Sequence, residues 1–325
     1  MQMLPLMSFM PQQYTDAVQK AKFAGFCAEH NKQYATVAEF EQRAELFKET
    51  MQKVAQLNSG NGSYRAGVNH MSDWTTEEYE VMLGLKDMDV TPEEPIHAWT
   101  GAPNSAGKDW REIKDVVSAV KDQGACGSCW AFSATEAVES AFVIAGNDPV
   151  VMAPQELVDC TMSALKSHGC SGGWYYYAYQ WLSKNKTMAE SDYPYTSGTT
   201  GKETKCAYDA AKGVTNVSSY KQVKKETASI KAAIELGPVN VAVSAGNDVF
   251  RNYSSGIVTA ADGCPTRVDH AIVAVGWGVE DAVEYYIVRN SWNTTWGDKG
   301  YIKIATADGK VGVCGINGYV YYPII

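Results

Sequence analysis

Cys129 stands in the string Gln123-Gly124-Ala125-Cys126-Gly127-Ser128-Cys129-Trp130-Ala131-Phe132. Ser128 is a residue type that caps helix starts, and Trp130, Ala134, Ala137, Val138 and Ala141 recur behind it at helical spacing. The pattern predicts a helix from Cys129 that stops at Gly146-Asn147-Asp148-Pro149, with the cysteine in its first turn. A thiol is nucleophilic as the thiolate, and a helix N-terminus with a neighbouring imidazolium favours that form. The chemistry on offer is covalent attack on a carbonyl carbon. Small neighbours let such a carbonyl approach the backbone, and Gln123 adds an amide donor for charge developing on its oxygen.

Cys126-Gly127-Ser128-Cys129 is also a C-x-x-C pair, a spacing shared by zinc knuckles and dithiol redox sites. A structural zinc site needs further Cys or His ligands at another short spacing, which neither Cys160 with Cys170 nor the isolated histidines supply. A thioredoxin-like site needs a βαβ setting, which the flanks lack. No metal and no cofactor are expected. Of the eight cysteines, seven follow residue 125, and an odd number leaves one thiol unpaired, as a reactive cysteine would be. Three bridges and one free thiol account for that segment, and spacing alone leaves the pairing open.

The elements that must position these groups fall into two parts. A chain of 325 residues with 45% hydrophobic and 20% charged residues predicts two folding units of ordinary globular composition. Residues 15–58 carry apolar positions at intervals of three or four, including Phe40, Ala44, Phe47, Met51 and Val54, and read as helix until Asn58-Ser59-Gly60-Asn61-Gly62. Lys86 to Lys108 is polar and punctuated by Pro92, Pro95, Gly101, Pro103 and Gly107, a connector exposed to proteolysis. Helical segments come next. Strand runs then dominate from Pro238: Val239–Val243, Ala271–Val275, Glu284–Val288, Tyr301–Ile304 and Tyr319–Tyr322. Helices first and strands second imply an α+β enzyme with two lobes. The expected division is an N-terminal extension (1–13), a helical domain (14–85), a connector (86–105) and an enzymatic domain (106–325). A net charge of −9 gives no basic stripe for nucleic acid, and no apolar run is long enough to cross a membrane. The opening residues MQMLPLMSFM lack the basic start and small-residue cleavage site of a signal peptide.

Cys-Gly-Ser-Cys-Trp matches the signature around the papain and cathepsin nucleophile, whose His and Asn lie far downstream. His270 follows Cys129 by 141 residues in Val268-Asp269-His270-Ala271-Ile272, and Asn290 follows by 161 in Asn290-Ser291-Trp292. The sequence from Tyr14 to Ile325 resembles a papain-like cysteine endopeptidase of cathepsin L type, in latent form. The resemblance implies a papain-like fold with a helical left lobe and a β-barrel-like right lobe, preceded by an inhibitory propeptide. It implies attack by Cys129, an ion pair with His270, orientation of the imidazole by Asn290, shielding by Trp292, and an oxyanion hole of Gln123 and the Cys129 N–H.

It further implies the disulfides Cys126–Cys170, Cys160–Cys206 and Cys264–Cys314, with Cys27 left as a small buried hydrophobe. Position matching puts Trp174, Tyr175, Ala242, Val268, Ala271 and Tyr319 around the main specificity pocket, and Gly172 and Gly173 beside an extended substrate. Asn293 replaces the glycine usual after Asn-Ser-Trp. The propeptide pattern is carried by Glu39, Arg43, Phe47, Thr50, Val54 and Asn58, then by Gly67, Asn69, Met71 and Asp73. His30, His70, His97 and His168 read as surface or structural. The partners implied are protein and peptide substrates and the chain's own propeptide, for a monomer that is secreted, lysosomal or vacuolar. Five N-x-S/T sequons, at Asn61, Asn185, Asn216, Asn252 and Asn293, permit a glycoprotein. A silent peptide-binding homologue and an acyltransferase share these motifs.

Residues 1–105 hold 14 acidic and 8 basic side chains against 23 and 20 in residues 106–325, so both parts are negative. Global attraction therefore cannot hold a propeptide in place. Acid release through a hydrogen-bonded carboxylate, with Asp73 as the candidate, is the expectation.

Overall fold

The computed structural model describes residues 12–60, 62–85, 96–97, 107–162, 167–309 and 311–325. The connector expected over 86–105, and with it most of the expected boundary, lies outside the described residues except for Ile96–His97.

The N-terminal part is built on helices α1 (Gln12–Glu29) and α2 (Val37–Leu57). The single helix expected over 15–58 is divided, because Asn31 adopts a left-handed φ of 49° and Thr36 caps α2 through its side chain. Phe23, Phe26 and Phe47 form the small apolar core between the two helices. After strand β1 (Tyr64–Ala66) comes the short helix α3 (Thr76–Glu80), closed by a reciprocal Thr75–Glu78 capping box.

The pattern residues hold these pieces together. Glu39 accepts from the Ala35 N–H at 2.9 Å, Arg43 donates to Glu78 at 2.5 and 2.6 Å, and Asn58 exchanges two hydrogen bonds with the Ala66 backbone. Asp73 accepts from Lys32 at 2.8 Å and from the Tyr34 hydroxyl at 2.6 Å. Asn69 donates to the Arg251 carbonyl at 2.8 Å, and the Gly67 N–H reaches the Asn252 carbonyl at 2.7 Å, so this unit docks on the remainder of the chain.

The larger part has two lobes, each with its own core. One is helical. Its long helix α4 (Cys129–Ile144) packs Trp130, Ala134 and Val138 against helices α5 (Pro154–Cys160) and α6 (Tyr175–Leu182). The other is a sheet whose strand order, by first residue, is Tyr64, Tyr253, Tyr301, Val283, His270, Val239, Tyr321, Ser219, Ile96. Its spine is the antiparallel trio Val239–Val243, His270–Glu280 and Val283–Arg289. The expected barrel is corrected to an open sheet, since no described strand pair closes the path. Its two outermost strands are β1 and Ile96–His97, both contributed by the part before Lys108, so that Tyr253–Val258 and Ser219–Val223 are paired and do not stand as edges. The expected strand 319–322 begins at Tyr321.

All three disulfides form as the resemblance implied, Cys126–Cys170, Cys160–Cys206 and Cys264–Cys314. Cys129 and Cys27 are free, and Cys27 is half-buried with its sulfur near the Tyr34 hydroxyl, not a fully buried hydrophobe.

Candidate active site

The cleft between the lobes brings together Cys129 from the start of α4, His270 from the start of the strand His270–Glu280, and Asn290 from just beyond Val283–Arg289. A buried ion pair, Arg289 to Glu136 at 3.0 Å, ties the strand before Asn290 to α4 and so fixes one lobe against the other. Ser128 holds the cap position of α4 but makes no side-chain cap bond, which corrects the expected cap. Its hydroxyl lies instead 2.7 Å from the Tyr195 hydroxyl.

His270 Nε2 lies 2.8 Å from Asn290 Oδ1, and that oxygen also accepts from the Ser291 N–H at 2.8 Å. An oxygen that only accepts assigns the proton to Nε2 and leaves the Nδ1 lone pair as the base. Nδ1 is buried without a hydrogen-bond partner among the described residues. Trp292 stacks on the imidazole at 4.5 Å and excludes water from its bond to Asn290. Trp292 therefore acts on the histidine.

Gln123 is fully buried, and its amide orientation is forced. Oε1 accepts from Ser291 Oγ at 2.7 Å and Trp292 Nε1 at 3.2 Å, so Nε2 must face the cleft. There it donates to the Met82 carbonyl at 2.9 Å and to the Cys126 carbonyl at 2.8 Å. Gly84 crosses the nucleophile itself. A Cβ placed on Gly84 would stand 3.0 Å from Cys129 Sγ and 2.0 Å from the Gly127 carbonyl oxygen, so only glycine passes.

The Gly84 carbonyl accepts from the Gly173 N–H at 2.9 Å, and the Leu85 N–H donates to the Asp269 carbonyl at 3.0 Å. Leu85 packs in one cluster with Trp174, Tyr175, Ala242 and Ala271, with Val268 and Tyr319 at its margin. Gly172 turns the chain with a φ of 118°, and its carbonyl accepts from the His168 N–H.

Burial under this segment pushes the Cys129 thiol up to about 11, against weaker opposition from the Ala271, Gly84 and Trp130 backbone N–H groups. Burial also pushes the His270 imidazole down to about 4, outweighing its bond to Asn290. Desolvation thus opposes the charged form of both partners of the expected thiolate–imidazolium pair in this closed chain. Asn293 takes a left-handed φ of 64°, which explains how asparagine, the side chain best suited to that region, replaces glycine there.

Met82, Gly84 and Leu85 were not legible as cleft residues. Their one local sign is Gly84 itself, a glycine in an otherwise apolar stretch. Tyr195 carried no sign at all, and Ser291 was visible only as the middle of Asn290-Ser291-Trp292.

Residues 104–324 match the model of the papain family cysteine proteases, and residues 23–79 match that of the cathepsin propeptide inhibitor domain. The chain is 38% identical over 304 residues to the cysteine proteinase COT44 of Brassica napus, covering 87% of this chain and 88% of that protein. It is 34% identical to pro-cathepsin H of Mus musculus, covering 95% and 92%. Its fold matches the digestive procathepsin L 3 of Tenebrio molitor larval midgut with a TM-score of 0.84 at 30% identity, over 94% of this chain and 99% of that one. The segment lying across Cys129 is continuous with the matched inhibitor domain, and the chain belongs to the papain family of cysteine proteases, as the latent precursor of an endopeptidase inhibited by its own N-terminal domain.

Proposed function

We propose that Cys129, His270, Asn290 and Gln123 perform the hydrolysis once the prosegment leaves. The Cys129 proton passes to His270 Nδ1 as Sγ bonds to the scissile carbonyl carbon. The oxyanion is held by Gln123 Nε2 and the Cys129 N–H, a contribution of about 3 kcal/mol per donor. His270 then protonates the leaving amine as the C–N bond breaks, and water, deprotonated by His270, hydrolyses the thioester. Asn290 keeps the imidazole in the required tautomer throughout.

The observation that carries this reading is the Met82 carbonyl on Gln123 Nε2, with Gly84 over the sulfur. A carbonyl of the inhibitor occupies the donor that a substrate carbonyl would need. Leu85 in the pocket of Trp174, Tyr175, Ala242 and Ala271 supports preference for an apolar residue two before the scissile bond. Activation is cleavage in the connector, between about His97 and Gly107. Three disulfides support an oxidising setting, secreted, lysosomal or vacuolar, and the working form is a monomer.

The test holds Cys129→Ala precursor with a trace of active enzyme at neutral and acidic pH and sequences the N-termini produced. A first cut well beyond Trp110, or peptide hydrolysis by the alanine variant itself, overturns the reading. Amine-dependent transfer without hydrolysis would make the chain an acyltransferase instead.

A further inference from the structure

The two proposed oxyanion donors sit at the two ends of one loop, Gln123 to Cys129, and one tyrosine hydroxyl spans that loop. Tyr195 Oη donates to the Gln123 carbonyl oxygen at 2.8 Å. Its proton is thereby used, so the 2.7 Å contact with Ser128 is one in which Ser128 Oγ donates to Tyr195. Burial raises the phenol above its ordinary value, which keeps it a donor across the working pH range.

The phenol has little freedom to move. Its ring lies edge-on to Phe132 at 4.8 Å, and its backbone N–H is held by Glu190 at 2.9 Å. A Cβ on Gly198 would come within 2.8 Å of the ring, and the Gly198 carbonyl accepts from the Ala125 N–H at 2.8 Å. The segment from Tyr195 to Gly198 is strapped along the loop that carries Gln123.

We propose that Tyr195 is a positioning residue for the oxyanion hole, its hydroxyl setting the spacing between Gln123 and the Ser128–Cys129 peptide. Ser291 and Trp292 orient the Gln123 amide, the Ser291 carbonyl accepts from the Gln123 N–H at 2.9 Å, and Gln123 Nε2 reaches the Cys126 carbonyl, but none of these bonds reaches Ser128 or Cys129. Tyr195 does, through a two-bond bridge across 72 and 67 residues of sequence. Losing the hydroxyl would let the donors separate without disturbing the thiol or the substrate pocket, and small displacements in such a constellation are costly. The proposal rests on Gln123 being an oxyanion donor.

The experiment compares Tyr195→Phe, Ser128→Ala, their double variant and Gln123→Ala, each made as full-length precursor and then activated. Two probes are used. A peptide aldehyde forms a hemithioacetal that needs the hole, whereas iodoacetamide alkylates Cys129 without an oxyanion. Tyr195→Phe is expected to lower kcat roughly tenfold and weaken aldehyde binding by the same factor, with KM and the alkylation rate unchanged. Ser128→Ala should do likewise, and the double variant should be no worse than either single one.

Equal losses in aldehyde binding and alkylation would indicate a general structural role and overturn the proposal. So would Gln123→Ala weakening the aldehyde while Tyr195→Phe and Ser128→Ala do not. Gln123→Ala leaving the aldehyde unaffected would instead overturn the oxyanion assignment beneath it. Should Tyr195→Phe fail to fold, Ser128→Ala carries the same comparison.

Discussion

His70 Nδ1 lies 2.7 Å from Thr295 Oγ1, joining the propeptide to the loop that follows Asn293 across 225 residues of sequence. His70 is therefore an interface residue, where the sequence suggested a surface or structural one. Burial pushes its imidazole down to about 4 from an ordinary 6.5; Asp122 and Asp73 pull it up, while Lys32 and His30 push it further down. Above about 6.5 the ring is neutral whether or not the propeptide is docked. As the pH falls toward 4 only the released propeptide takes up the proton, so docking weakens over that window. Burial lowers His270 in the same way, so its exposure adds to the effect. Replacing His70→Gln should move the midpoint of activation to lower pH, read by the rate of active-site labelling from pH 7 to pH 4. An unchanged midpoint removes His70 from the switch.

Gly84→Ala should make the precursor constitutively open. Its Cβ would lie 2.0 Å from the Gly127 carbonyl, a backbone atom that cannot yield, while the enzyme domain is untouched. Labelling of Cys129 by a peptidyl epoxide at neutral pH should rise at least about tenfold, a shift of roughly 1.4 kcal/mol in docking. A variant as slow to label as the parent would mean that the segment covers the thiol in another way.

In a peptide library the activated enzyme should favour Leu and other apolar residues two before the scissile bond over Arg or Lys. Leu85 packs among Trp174, Tyr175, Ala242 and Ala271, apolar groups against which a basic side chain would be desolvated. Arg outperforming Leu at that position would show that the Leu85 pocket is not the one substrates use. Leu85→Asp in the precursor should weaken inhibition for the same reason, read as labelling at neutral pH.

Cys129→Ala should abolish turnover, and Asn290→Ala should cost much less, about ten- to a hundredfold in kcat. The asparagine orients the imidazole and its proton at Nε2, whereas the thiol forms the bond itself. Equal losses in the two variants would imply that Asn290 does more than hold the tautomer.

The nucleophile, the helix that presents it and most strand runs were legible because each rests on local pattern. Helical spacing behind Cys129 and β-rich runs such as Val239–Val243 are properties of short segments. His270, Asn290 and the three bridges were reached only through resemblance to a family, since spacing alone orders no distant pair. What the tertiary structure alone decided is which distant groups meet: the Met82 carbonyl with Gln123 Nε2, His70 with Thr295, and Tyr195 between Gln123 and Ser128. The burial of the pair was likewise invisible in the sequence. A helix start argues for a thiolate, but Gly84 lies over the sulfur and Trp292 stacks on the imidazole, and burial opposes the charged form of both. Such contacts depend on where a backbone runs through a cleft, and no periodicity in the chain encodes that path.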